Sequence, residues 1–177
     1  MNIIIIVASI LFVLLGGILI NVIRIKRKRK KRKISKAFTI KSKTLRIGVV
    51  GAGQMGTILS ALAERAGTKI VVVHDIKLEA AKKLATERGG AIATTEINKL
   101  FDIPMDGLLV CTLPTVRIEL IKRACEKNIH LLIEKPPAYD LIEGRDCLAA
   151  IKKSGIMAAV GFQLRYDPRY ERLKQLI

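Results

Sequence analysis

The chain has 177 residues, a formal net charge of +17 at neutral pH and three cysteines. That length holds one ordinary domain and an appendage. Cys111, Cys125 and Cys147 are odd in number and far apart, which excludes a disulfide frame or a zinc site. They read instead as small buried hydrophobes in a reducing compartment. His74 and His130, the only two histidines, lie in apolar runs and read as core residues, so no metal site is expected.

Residues 3–23 (IIIIVASILFVLLGGILINVI) carry no charge. As a helix at ~1.5 Å per residue they would reach about 31 Å, close to the ~30 Å hydrocarbon thickness of a bilayer. This predicts a transmembrane anchor over residues 1–23. Nine of the ten residues from Arg24 to Lys33 are basic and leave a net +8 for the rest. The high charge is therefore local and gives no ground for nucleic-acid binding by the folded part. Positive charge after the span predicts a single pass with the domain in the cytoplasm, the membrane being contacted through 3–23 and the basic run 24–33. A cleaved signal peptide has the opposite charge order. Residues 24–43 then form a basic juxtamembrane linker.

From Thr44 onward, short β-branched runs alternate with helical patterns. Strands are predicted at 45–50, 69–74, 107–112, 130–133 and 156–162, and helices at 54–66, 77–88, 116–127 and 140–153. Residues 91–101 add a short strand and a helical turn. Continuous apolar strands with helices between them predict a parallel sheet covered on both faces. Right-handed crossovers make it doubly wound. The fold class expected is thus α/β, a doubly wound parallel-sheet Rossmann domain over 44–163 preceded by one transmembrane helix.

Ile47 to Gly56 reads IGVVGAGQMG, with Gly51, Gly53 and Gly56 in the spacing G-x-G-x-x-G between a strand and a helix. Gly51 permits a tight turn, Gly53 lets backbone approach a pyrophosphate, and Gly56 lets the helix pack on the strand. Gln54 and Met55 open the helix, whose free N–H groups and dipole favour an anion. The motif alone is weak evidence. The second strand strengthens it by ending in Asp75, nineteen residues after Gly56, where an acid accepts hydrogen bonds from the adenosine ribose. An acid there repels a 2′-phosphate, so NAD is favoured, and Lys77 keeps NADP open. A P-loop is excluded because no G-K-[ST] follows.

Two further stretches, DGLLVCTLP from Asp106 and HLLIEKPPA from His130, resemble the glucose-fructose oxidoreductase/inositol dehydrogenase/MocA family. VGFQLRYDPRYERLKQLI from Val160 resembles that family's exit from its nucleotide domain, with Arg165 and Tyr166 matching by position. The resemblance spans about 44–177. It implies that Thr112, Leu113 and Pro114 lie on the nicotinamide side of the cofactor, followed by Glu134, Lys135 and Pro136. It also implies that Lys135 assists proton transfer from the alcohol being oxidised, which requires burial and neighbours to depress its pKa. An ion pair of Glu134 with Lys135 at a strand end is the plainer reading. Arg117 and Ile118 stand where the family usually has a histidine, and Asn128 where it has a glycine.

Residues 164–177 read as the start of a connection to a C-terminal substrate domain that these residues do not contain. The function expected is the cofactor half of a membrane-anchored oxidoreductase acting on a sugar, polyol or related carbonyl compound, completed by further sequence or by a separate chain. A non-catalytic, tethered dinucleotide-binding module is the alternative. An imine reductase of the pyrroline carboxylate type shares the glycine turn, but the E-K-P passage argues against it.

Overall fold

Strands that are apolar along their whole length need cover on both faces, and the central ones receive it while the two edge strands stay partly exposed. The computed structural model describes residues 44–177. β1 (Arg46–Val50), β2 (Lys69–His74), β3 (Ile92–Thr94), β4 (Gly107–Val110), β5 (His130–Ile133) and β6 (Ala158–Val160) form one sheet in the order β3-β2-β1-β4-β5-β6. Every pairing is parallel. The crossovers contain α1 (Gln54–Arg65), α2 (Leu78–Glu87), α3 (Ile97–Asp102), α4 (Arg117–Glu126) and α5 (Leu141–Ser154), and α6 (Pro168–Leu176) closes the chain.

Period-two alternation splits the strand side chains between two cores. Ile47, Val49, Val73 and Leu109 pack with Leu59 and Ala63 of α1 and with Ala81, Leu84 and Ala85 of α2. On the other face, Val50, Val72, Leu108, Val110, Leu131 and Ile133 pack with Leu100 and Phe101 of α3, Leu120 and Ile121 of α4 and Cys147 of α5. Fully burying each large aliphatic side chain contributes about 1.5–3 kcal/mol, so the two layers are what hold the sheet together. The β1–β2 register slips by one residue between Ile47 and Gly48. Val71 and Val72 consequently share one core while Ile70 and Val73 share the other, and the end of β2 carries the opposite facing from its start.

Local chemistry sets the ends. Asp140 caps α5 by accepting from the Glu143 N–H at 2.8 Å, and Gly155 ends it at φ 72°. Asn128 precedes β5 at φ 56°, a left-handed conformation that Asn tolerates, so its presence in place of glycine keeps the turn. β4 stops at Val110, two residues short of expectation, because Cys111 and Thr112 enter the turn that follows. β6 is an edge strand and half-exposed, and Leu141, Ile142, Phe162 and Leu164 are exposed apolar residues.

The expected membrane span is corrected. Residues 1–43, where it was placed, lie outside the described residues, and no described helix is long and apolar enough to cross a membrane. The longest, α5, has 14 residues, about 21 Å at ~1.5 Å each, and carries charged residues along its length. The apolar runs of 44–177 are spent on strands inside the sheet. The described residues form a doubly wound parallel sheet, and no helix among them is long and apolar enough to cross a membrane.

Strand order reverses beside β1, where α1 lies on one face and α4 on the other. Crevices at such points, beyond the strands' carboxyl ends, are where doubly wound sheets bind ligands.

Candidate dinucleotide site

The three glycines are required for different reasons. Gly51 leaves β1 at φ +94°, and a Cβ there would stand 2.8 Å from the carbonyl carbon and oxygen of Cys111. A Cβ on Gly56 would come within 1.9 Å of the Gly51 carbonyl oxygen, so the first turn of α1 rests directly on the loop. A Cβ on Gly53 meets nothing within 4 Å. The fold itself demands Gly51 and Gly56, whereas Gly53 borders free space in front of the helix. α1 starts there with no side-chain cap and no acidic residue in its first turn, unlike the Asp140-capped α5. Its Gln54 and Met55 amides and its dipole therefore face an uncompensated end that suits a pyrophosphate.

Asp75 is joined to the same loop. Its Oδ2 accepts from the Ala52 N–H at 2.7 Å, and its Oδ1 from the Lys77 N–H at 2.9 Å. Backbone bonds hold the frame: the Gly51 N–H donates to the His74 carbonyl at 2.8 Å, and the Asp75 N–H to Thr94 at 3.2 Å. Each carboxylate oxygen keeps lone pairs for further donors. The residues present thus fit a dinucleotide, with an amide-rich turn for the phosphates and a fixed acid one strand away for the ribose.

His74 underlies this acid. It is buried, its Nε2 donates to the Thr95 carbonyl at 3.2 Å, and its Nδ1 has no partner. Burial pushes its pKa below the usual 6.5, outweighing the opposing pull of the Thr95 bond and Asp75. Above pH 6.5 the ring is neutral folded or unfolded, and stability does not respond to it. Below that, the unfolded chain takes up a proton that the folded chain resists, so stability falls with falling pH until the folded pKa is passed. The Tm of the wild type should therefore drop more between pH 7.5 and pH 5.5 than that of His74→Gln, measured by circular dichroism. Equal drops would refute the assignment to His74.

The opposite wall is built from the turns after β4 and β5. Thr112 and Pro114 are half-buried and Leu113 is exposed. Glu134 is buried, with Oε2 accepting from its neighbour Lys135 N–H at 3.1 Å. Lys135 and Pro136 are exposed and joined by a cis peptide bond. No Glu134–Lys135 ion pair forms; the glutamate turns inward while the lysine side is open. Thr112 Oγ1 and Glu134 Oε1 are buried with no hydrogen-bond partner. Cys111 beneath them has its thiol pushed up to about 12, by burial first and by Glu134 second, and is an inert neutral group.

Arg117 joins these two turns, and sequence reasoning passed over it as a mere departure from a family pattern. Its buried guanidinium donates through Nε to the Thr112 carbonyl at 3.0 Å, through Nη2 to the same oxygen, and through Nη1 to the carbonyls of Glu134 and Pro136. The available signal was a cation in sequence just after the turn that follows β4, at the start of α4. The structure brings Gly51, Gly53, Gln54, Met55, Gly56 and Asp75 together as one loop-and-acid unit, and Thr112–Pro114 with Glu134–Pro136 as a second.

A glycine loop on an uncapped helix, an acid after the next strand and a crevice at the strand-order reversal together define a dinucleotide-binding Rossmann domain. The chain belongs to the glucose-fructose oxidoreductase/inositol dehydrogenase/MocA family, an oxidoreductase family with an NAD-binding Rossmann fold, whose family model matches residues 45–162. It is 29% identical over 138 residues to an uncharacterized oxidoreductase of Bacillus subtilis, covering 77% of this chain and 40% of that protein. It is also 29% identical over 136 residues to an inositol 2-dehydrogenase of Rhizobium meliloti, covering 76% and 41%. A crystal structure of a putative myo-inositol dehydrogenase from Sinorhizobium meliloti superposes with a TM-score of 0.67 at 28% identity, covering 75% of this chain and 40% of that one. The chain thus spans about two fifths of the length of these relatives, all of it in their nucleotide domain. The expected single-pass membrane localisation with a cytoplasmic domain falls with its span: the matched relatives are oxidoreductases and dehydrogenases, and no described helix can cross a membrane.

Proposed function

We propose that this NAD(P)-binding domain serves an oxidoreductase that interconverts an alcohol of a polyol or sugar with the corresponding carbonyl, NAD being preferred to NADP. The observation that carries the reading is Asp75: its carboxylate is hydrogen-bonded to the Ala52 amide of the glycine loop and so stands at one distance from the phosphate turn. Gly51, Gly53, Gln54, Met55 and Gly56 would hold the pyrophosphate and Asp75 the adenosine ribose. Thr112, Leu113, Pro114, Glu134, Lys135 and Pro136 would line the nicotinamide side.

When bound, the dinucleotide supplies the hydride acceptor or donor. Lys135 is the candidate catalytic residue, taking the hydroxyl proton of the substrate at Nζ; it is exposed in this domain, and the burial its role requires would come from the substrate domain covering it. Hydride transfer also needs a pocket that positions the reacting carbon. We place that pocket in a substrate domain corresponding to the part of the relatives outside the match. The inositol dehydrogenase names among the relatives support a cyclic polyol as the first substrate class to assay.

Calorimetric titration of NAD(H) and NADP(H) into the full chain tests the reading. The expected result is saturable binding of both, with NAD(H) the tighter. A folded chain that bound neither would overturn it, and a preference for NADP(H) would overturn the role given to Asp75.

A further inference from the structure

A buried guanidinium needs acceptors for its donors, and Arg117, 3% exposed, takes three backbone carbonyls. Two of them, Glu134 and Pro136, belong to the residues immediately before and after Lys135; the third belongs to Thr112 in the neighbouring turn. One planar fork therefore grips both ends of the Lys135 backbone and ties it to the turn after β4. We propose that Arg117 is a positioning residue for the nicotinamide half of the site, holding Thr112 and Lys135 at a fixed separation. This role rests on the cofactor reading above.

The energetics argue that the cation is there for geometry. Arg117 is the first residue of α4, where the helix dipole disfavours positive charge, and burial adds a desolvation cost. The carboxylate of Glu134, itself buried, offsets part of that cost. An apolar side chain would fill the same volume without either cost, since replacing buried ionic groups by hydrophobic ones is often neutral or stabilising. What an apolar residue could not do is satisfy three carbonyls from two loops at once. A lysine would reach them with a single nitrogen and no fixed plane.

The experiment compares two probes on the full chain: NAD⁺, which spans the whole site, and ADP, which engages only the glycine loop and Asp75. Arg117→Gln is expected to weaken NAD⁺ by about tenfold, the loss that follows when one or two hydrogen bonds to the nicotinamide half are no longer made. ADP affinity should stay within about twofold, because none of the carbonyls that Arg117 holds belongs to the glycine loop or to Asp75. Arg117→Lys should recover part of the NAD⁺ loss. Equal losses for NAD⁺ and ADP, or no loss for NAD⁺ in a folded variant, would overturn the role. Should Arg117→Gln fail to fold, the NAD⁺-to-ADP ratio of Arg117→Lys decides by the same criterion. A wild-type chain that bound neither probe would overturn the cofactor reading and this role with it.

Discussion

Alanine at Gly56 is expected to destabilise the domain severely, whereas alanine at Gly53 should leave it folded but weaken its hold on a dinucleotide. A Cβ at Gly56 would lie 1.9 Å from the Gly51 carbonyl oxygen. That atom is backbone, so relief requires α1 to move away from β1 and from the core contacts of Leu59 and Ala63. Overpacking commonly costs about 1–3 kcal/mol, and a clash with main chain belongs at or beyond the upper end. At roughly 2–8 °C per kcal/mol the Tm should fall by about 10 °C. A Cβ at Gly53 meets nothing within 4 Å, and φ there is −75°, which alanine adopts freely. Its cost to stability should be about 1 kcal/mol or less. The methyl group would instead occupy the space in front of the Gln54 and Met55 amides. Losing even one charge-assisted bond of about 1.5–3 kcal/mol weakens NAD⁺ by at least roughly tenfold. Thermal melts and titrations of the two variants would separate these effects. A Gly53→Ala chain that binds NAD⁺ as the wild type does would mean that the phosphates lie elsewhere.

Asp75→Ala should change cofactor choice more than it changes stability. The carboxylate spends one bond on the Ala52 amide and one on the Lys77 amide, and its remaining lone pairs are those assigned to the ribose. Hydrogen bonds to a charged group are worth about 1.5–3 kcal/mol, so NAD⁺ affinity should fall by roughly 10- to 100-fold. NADP⁺ loses the same acceptor but also loses a negative charge beside its 2′-phosphate, with Lys77 next in line. Its affinity should hold or rise, bringing the two cofactors level or reversing their order. Parallel losses for both would show that Asp75 acts only by bracing the loop through Ala52.

Much of this was legible in the residues because it depends on local pattern. The apolar runs at 69–74 and 130–133 match β2 and β5 to the residue, since their interiors are unbroken apolar sequence and their polar residues stand only at the ends. The short element at 91–101 resolved into β3 and α3 as expected. α6 was not predicted as a helix: its sequence is mostly polar, and it begins on local signals, Asp167 capping with Pro168 in the first turn. The 3–23 stretch shows the limit of the same method, because its apolar length satisfied a spanning criterion that no described residue substantiates.

What the sequence by itself determined was the strand–glycine–helix–strand–acid order, and with it the family, the sheet and the anion turn, because each follows from spacing along the chain. The spacing had already assigned Gly51 and Gly56 to the fold and Gly53 to the ligand side, and tertiary structure added the physical reason, since a Cβ at either of the first two would meet backbone while one at Gly53 would meet open space. It alone showed the β1–β2 register slip, which leaves no mark on an unbroken run of valines. It alone turned Arg117 from a departure into a clamp, because the three carbonyls that hold the guanidinium come from two loops that only the parallel pairing of β4 with β5 brings side by side.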